Sequence, residues 1–232
     1  MSRHAVLPAG QAAVLVDGLT ADDVLALYAA LRGTEGVVDL VPAERTLLVE
    51  FDPERATAAA IEGRVQRALD RLERVAGLEG VARLQGMAGL QGMAGLQGGA
   101  VGSGRVAAVV ELPVRYDGPD LDDVARHLDL TTEELVARHL ATEWVSAFVG
   151  FAPGFAYLVA PGDPLAVPRR PTPRAAVPAG SVALGGRYCG VYPRRSPGGW
   201  QLIGTTDAAL WDDRRDPPAL LAPGTRVRFV RA

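Results

Sequence analysis

Apolar residues along this chain switch between alternating spacing and a spacing of three or four, and the switches outline its elements. Residues 12–17, AAVLVD, form a short apolar run that suits a strand. Thr20 then stands where a helix N-cap is expected, with Asp23 placed to complete a capping box. Val24, Leu25, Leu27, Tyr28 and Leu31 give that helix one apolar stripe, and Gly33 gives it a stop. Residues 36–41 and 46–51 read as two strands about a turn at Pro42–Arg45. Asp52-Pro53 offers an N-cap followed by proline at the first helical position. Ile61, Val65, Ala68, Leu69 and Leu72 carry this second helix to about Arg74. The order strand–helix–strand–strand–helix is one strand short of a ferredoxin-like α+β unit.

A repeat interrupts the pattern. LQGMAG occurs at Leu84–Gly89 and again at Leu90–Gly95, and a further copy begins at Leu96. So few short turns could not bury a solenoid core, and the glycine spacing is not that of collagen. The stretch reads as a flexible linker reaching about Gly104. Val106–Val114 is then a strongly apolar β run, followed by a helix with its stripe at Leu121, Val124, Ala125 and Leu128. Thr131 and Glu134 make a second capping box, opening a helix whose face carries Leu135, Val136, His139 and Leu140. From Glu143 the pattern is β to the end, finishing in a strand at Arg226–Val230 after a turn at Pro223-Gly224. The expected domains are an α+β unit over 1–80, the linker over 81–104 and a β-rich domain over 105–232.

Gly150–Gly204 departs most from ordinary sequence. Glycine and proline recur every few residues, so no helix fits. Phe151, Phe155, Tyr157, Tyr188, Tyr192 and Trp200 make it too aromatic for a disordered segment. Arg169, Arg170, Arg174, Arg187, Arg194 and Arg195 lie within it, and no acidic residue occurs from Pro164 to Thr206. Strands joined by tight turns, displaying cations between them, would suit an anion.

Composition narrows the chemistry. A net charge of −3 argues against a general nucleic-acid binder. No apolar run reaches the roughly 18 residues of a transmembrane helix, and the N-terminus lacks a secretory pattern. With Cys189 as the lone cysteine, no internal disulfide or cysteine-built zinc site is expected, and a cytoplasmic location follows as the default. All 24 Lys-plus-Arg residues are arginine, which excludes a Schiff-base lysine and a Walker-type phosphate loop.

Several long motifs then bring in a resemblance. They are LPVRYDGPDLDDVARHL (Leu112–Leu128), His139, GFAPGFAYL (Gly150–Leu158), PRRPTPRAAVPAGSVALGG (Pro168–Gly186) and GVYPRRSPGGWQLIGTT (Gly190–Thr206), with VPAERTLLVEFDP (Val41–Pro53) upstream. The chain resembles the family that contains the B subunit of 5-oxoprolinase, the sporulation kinase inhibitor KipI and allophanate hydrolase subunit 1. Trp144 stands where the family pattern has tyrosine, and the repeat linker is the other departure. The resemblance implies an α+β N-terminal domain and a cyclophilin-like β-barrel over 105–232. It implies one subunit of an ATP-dependent 5-oxoprolinase, opening 5-oxo-L-proline (pyroglutamate) to glutamate with the C and A subunits of that enzyme as partners. ATP would be bound by a partner or at a shared interface, with no metal site in this chain and neither nucleic acid nor membrane as partner. The alternatives are a module that inhibits a sensor histidine kinase, as in KipI, and a subunit associated with urea carboxylase or allophanate hydrolase.

For that chemistry the arginine fork suits both phosphate and carboxylate. Arg174, pinned after Pro173, is the leading catalytic arginine, and Arg169 and Arg187 are candidates for binding substrate or phosphate. The plain alternative is arginines that face solvent or a partner. His139 is the acid/base candidate, because its ordinary pKa lies near neutrality. It also lies on the apolar face of its helix, where a histidine often fills a core. Ser181 is read as a hydrogen-bonding residue; a triad of Ser181, His139 and Asp207 lacks any nucleophile-elbow signature. Gly198, Gly199 and Trp200 follow Pro197 in a turn that would direct backbone N–H groups at a ligand, or make a plain hairpin. Cys189 is read as a buried apolar residue.

Overall fold

The computed structural model describes residues 4–86 and 109–232. They belong to two compact units divided at residue 106, save for the 42–44 turn.

The N-terminal unit contains β1 (Ala5–Pro8), β2 (Ala13–Asp17), α1 (Ala21–Leu31), β3 (Val37–Pro42), β4 (Leu47–Phe51) and α2 (Ala58–Gly86). Alternation is visible in the burial: Val14 and Val16 on β2, and Leu47, Val49 and Phe51 on β4, point to one face. Val24, Leu27 and Leu31 of α1 and Ile61, Val65, Ala68 and Leu69 of α2 cover that face. Thr20 and Asp23 form the expected capping box, and Gly33 leaves the helix at φ +70°. The sheet order is β1-β2-β4-β3. This is the ferredoxin-like order, with the fourth strand supplied from before the first expected strand.

Two expectations need correction here. Asp52 does not cap α2: its Oδ1 accepts from Glu54 N at 2.9 Å, and its carbonyl accepts from Arg55 and Ala56 N at 3.0 and 2.9 Å. This closed turn lays Ala56 on Gly36, where an added Cβ would come within 2.6 Å of the alanine. The helix starts later, with Thr57 Oγ1 accepting from Ala60 N at 3.3 Å. In addition, α2 runs past Arg74 to Gly86, so residues 81–86 are helical rather than linker. The rest of the repeat, with residues 106–108 of the next apolar run, lies outside the described residues.

The C-terminal unit contains β5 (Val110–Val114), α3 (Leu121–His127), α4 (Thr132–Ala141), β6 (Trp144–Val149), β7 (Ala156–Val159), β8 (Arg174–Val177), β9 (Ser181–Gly185), β10 (Tyr188–Val191), β11 (Ser196–Gly198), β12 (Gln201–Thr205) and β13 (Arg226–Arg231). Seven strands form one sheet in the order β12-β9-β10-β7-β6-β13-β5. The two edge strands meet, because Arg115 and Thr205 exchange backbone hydrogen bonds of 2.9 and 2.8 Å. The sheet thereby curls into a nearly closed, cyclophilin-like barrel with few open edge groups. Beside the closure, Arg115 grips Asp207 with two hydrogen bonds of 2.8 and 3.1 Å.

The core joins Leu112, Val114, Leu158, Val182, Leu184 and Ile203 from the barrel to Val124, Leu135 and Val136 from the helices. The capping box Thr131–Glu134 starts α4 as expected. Every residue of β9 and β10 is buried, because both faces of these strands are covered, one by the core and the other by aromatic rings. A separate two-stranded ribbon pairs β8 with β11. No helix among the described residues is long and apolar enough to cross a membrane.

Candidate ligand site

The outer aromatic layer of β7, β10 and β12 meets the β8–β11 ribbon around a cavity of about 300 Å³. Phe155 anchors it, packing edge to face on Tyr157, Tyr192 and Trp200 at 5.1, 5.3 and 5.4 Å. Trp200 lies against the sheet because Gly185 and Gly190 leave room for it; a Cβ on either would come within 2.6 or 3.0 Å of the indole. Gly198 is required in the same way, since a Cβ there would collide with the Tyr192 hydroxyl. Gly199, Pro173 and Pro197 complete the rim.

One cation faces this cavity. Arg169 holds its guanidinium carbon 5.8 Å from the Trp200 ring centroid, a cation–π arrangement. Arg170, Arg174 and Arg187 are all ion-paired, whereas Arg169 makes no ion pair among the described residues. Burial pushes the Tyr157 and Tyr192 phenols above their ordinary range, so both stay neutral at physiological pH. No Ser, Cys, His, Asp or Glu lines the cavity. It is therefore equipped to hold a small, flat, anionic molecule and holds no nucleophile or general base of its own.

Asp120 fastens the walls. It begins α3, yet its carboxylate makes no capping bond. Instead Oδ1 accepts from Arg170 Nη1 at 2.9 Å and Arg174 Nη2 at 2.7 Å, and Oδ2 accepts from Leu202 N at 2.7 Å. Arg170 N also donates to Gly199 O at 2.7 Å. One buried carboxylate thus ties the segment carrying Arg169 and Pro173 to the strand that follows Trp200. Arg174 is a member of this clamp and does not line the cavity.

His139 is elsewhere. It is fully buried in α4, with Nδ1 2.8 Å from the Tyr116 hydroxyl and Nε2 3.4 Å from Cys189 Sγ. Its ring packs on Phe229 at 4.4 Å and on Trp144 at 5.6 Å. Burial pushes its pKa down to about 3 and holds the Cys189 thiol protonated. A neutral imidazole with both nitrogens engaged and no opening beside it does not fit the acid/base role, and the core reading matches this placement. The triad with Ser181 and Asp207 is not assembled, because Asp207 is held by Arg115.

Of the residues expected at a site, Arg169, Gly198, Gly199 and Trp200 come together at the cavity. Ser181 is buried at the start of β9, away from its lining. Arg187 pairs with Asp163 at 3.0 Å and is also outside it. Sequence reasoning missed Asp120, which lies 50 and 54 residues from its arginine partners. It noticed Phe151, Phe155, Tyr157 and Tyr192 only as a sign of order. Among the described residues, no group of three or more His, Cys, Asp and Glu is placed to hold a metal ion.

Comparison with known proteins bears on what such a cavity serves. Residues 4–221 match the model of the carboxyltransferase domain, subdomain C and D. The chain belongs to that family. Within the carboxyltransferase subdomain C and D family, it is 52% identical over 124 residues to the 5-oxoprolinase B subunit of Escherichia coli O157:H7, covering 52% of this chain and 57% of that protein. It is 47% identical over 126 residues to the 5-oxoprolinase B subunit of Bacillus subtilis (strain 168), covering 53% and 52%. The chain spans about half the length of the curated relatives it matches. Among solved structures, TTHA0988 superposes with a TM-score of 0.65 at 34% identity, over 95% of this chain and 39% of that one. PH0987 from Pyrococcus horikoshii gives 0.51 at 31% identity, over 98% and 97%. The K. lactis urea amidolyase, at 18% identity and a TM-score of 0.58 over 99% of this chain and 15% of that one, shares the fold alone.

Proposed function

We propose that this chain is the B component of an ATP-dependent 5-oxoprolinase and that the aromatic cavity is its share of the ligand site. The observation that carries the reading is Arg169 over Trp200 in a cavity walled mainly by aromatic rings. 5-Oxoproline is a small flat ring bearing one carboxylate. Arg169 would take the carboxylate through its planar fork. The aromatic walls would take the ring and keep water from it until a partner completes the site.

A lactam is a stable amide. Phosphorylating its oxygen from ATP, with release of ADP, would activate the carbonyl carbon for attack by water. The ring C–N bond would then break with the nitrogen taking a proton, and a second water would hydrolyse the resulting γ-glutamyl phosphate to glutamate and phosphate. The cavity offers a single guanidinium among aromatic walls, which does not suit a triphosphate. ATP is therefore assigned to a partner chain or to a surface shared with one. The missing nucleophile and base point the same way: this chain would bind and orient, and the C and A components would supply the reacting groups. The urea carboxylase alternative rests on structures below 20% identity, which carry fold and nothing further.

Co-expression with the C and A components tests the reading. ATP-dependent release of glutamate from 5-oxoproline is expected with all three chains and is lost when this one is omitted. An undiminished rate without this chain would refute the assignment.

A further inference from the structure

Phe151 is held in a conformation that residues with a side chain seldom adopt. Its φ is +66°, and Ala152 N–H donates across it to Gly150 O at 2.7 Å. A three-residue turn of this hand is rare and strained. Such strain persists only where the surrounding structure enforces it, and it concentrates at ligand clamps and switch regions. Here the flanking bonds Gly150 N to Phe155 O, 3.1 Å, and Phe155 N to Ala152 O, 2.9 Å, enforce it. The result is a phenyl ring left 56% exposed.

The position of that ring gives the strain a purpose. Phe151 is common to the walls of two cavities. On one side it meets Phe155 and Tyr192 edge to face at 5.3 and 6.3 Å, within the aromatic cavity that holds Arg169. On the other it walls a second cavity of about 370 Å³, shared with Val149, Pro153, Trp211 and Ala219. No charged residue lines this second cavity. Trp211 fits there because Gly154 has no Cβ, which would come within 3.0 Å of it.

We infer that Phe151 is a partition that sets ligand size, and that the second cavity is an apolar subsite which the partition closes to the ligand. This rests on the aromatic cavity being the 5-oxoproline site. With the ring in place, the Arg169 side accepts a bare cyclic amide acid and rejects one bearing an apolar arm. Without the ring, an arm can cross into the open apolar hollow of Val149 and Trp211 while the carboxylate stays on Arg169. Phe151 is thus a specificity-determining residue, acting by exclusion rather than attraction.

The test is calorimetric titration of the full chain with 5-oxoproline and with N-benzyl-5-oxoproline, which keeps the carboxylate and adds an aromatic arm. The variants are Phe151→Ala and Phe151→Gly, the glycine also relieving the positive φ so that the turn is retained. The wild type is expected to prefer 5-oxoproline by at least about tenfold, and both variants to shift the ratio of the two affinities toward the benzyl ligand by about tenfold or more, with tighter absolute binding of the benzyl ligand. Adding Trp211→Ala to Phe151→Gly should reverse that gain. An unchanged preference in both variants, with 5-oxoproline binding still lost in Arg169→Ala, would overturn the partition and leave the site reading standing. No 5-oxoproline binding by the wild type, or binding indifferent to Arg169→Ala, would overturn both.

Discussion

Two clusters in the C-terminal unit surround a basic side chain with aromatic rings, and solvent meets them differently. Around His139, Trp144 and Phe229 close every approach, Tyr116 and Cys189 take both ring nitrogens, and burial holds the ring neutral. Around Arg169, Phe155, Tyr157 and Trp200 leave a cavity of about 300 Å³, and the guanidinium has no carboxylate of its own among the described residues. The ingredients are alike, so residue type does not separate core from site. A polar group whose donors and acceptors are all matched in a closed space specifies packing. A charge left unmatched at an opening is available to a ligand. Asp120 lies between these cases, buried with both carboxylate oxygens bonded, yet bonded to the segments that build the open cluster.

The sharpest way to break this contrast is to remove the clamp. Asp120→Ala would leave Arg170, Arg174 and the Leu202 N–H without their acceptor, and should destabilise the chain by about 3 kcal/mol or more in denaturant unfolding. A loss below about 1 kcal/mol would show that the arginines find water instead.

Next in size is the pH dependence of the closed cluster. Unfolded His139 takes a proton near its ordinary pKa of about 6.5, whereas the folded ring stays neutral down to about 3. The unfolded chain therefore binds more protons between these values. The stability held by the neutral ring is complete above pH 6.5 and is lost as pH falls toward 3, by roughly 2 kcal/mol between pH 7 and pH 5. His139→Gln should flatten that part of the stability profile. An unchanged slope would mean that the ring titrates normally and is not sealed.

Smaller effects should fall on the open cluster. Gly185→Ala drives a methyl into Trp200 and should cost about 1–2 kcal/mol while changing the near-ultraviolet dichroism of the indole. Arg169→Ala should alter stability by no more than about 0.5 kcal/mol, as expected of an exposed side chain with a cation–π contact and no ion pair among the described residues. A larger loss would place Arg169 with the structural arginines.

Most local features of the chain were legible, and distant pairings were not. Both capping boxes, Thr20–Asp23 and Thr131–Glu134, form as read, because their partners are three residues apart. Helical spacing put His139 on the apolar face of α4, which left burial open as an alternative while the residue was read as the acid/base candidate; burial is what the structure shows. β1 escaped notice because four largely exposed residues ending in proline carry no alternating signal. The lack of acids from 164 to 206 suggested a set of available cations. The acids that pair with Arg170, Arg174 and Arg187 come from outside that stretch, at Asp120 and Asp163. Nothing local distinguishes Arg169 from Arg170; only the folded turn sends one to Trp200 and the other to Asp120.

The most direct measurement compares Arg169→Ala and His139→Gln in the assembled complex with the C and A components, following ATP-dependent glutamate release near pH 7.5, where His139 is neutral in either state. Arg169→Ala should lower kcat/KM by about tenfold or more at an unchanged melting temperature, and His139→Gln, where folded, should stay within about threefold of wild type. Full activity in Arg169→Ala together with a folded but inactive His139→Gln would contradict the assignment of the open aromatic cavity as the ligand site.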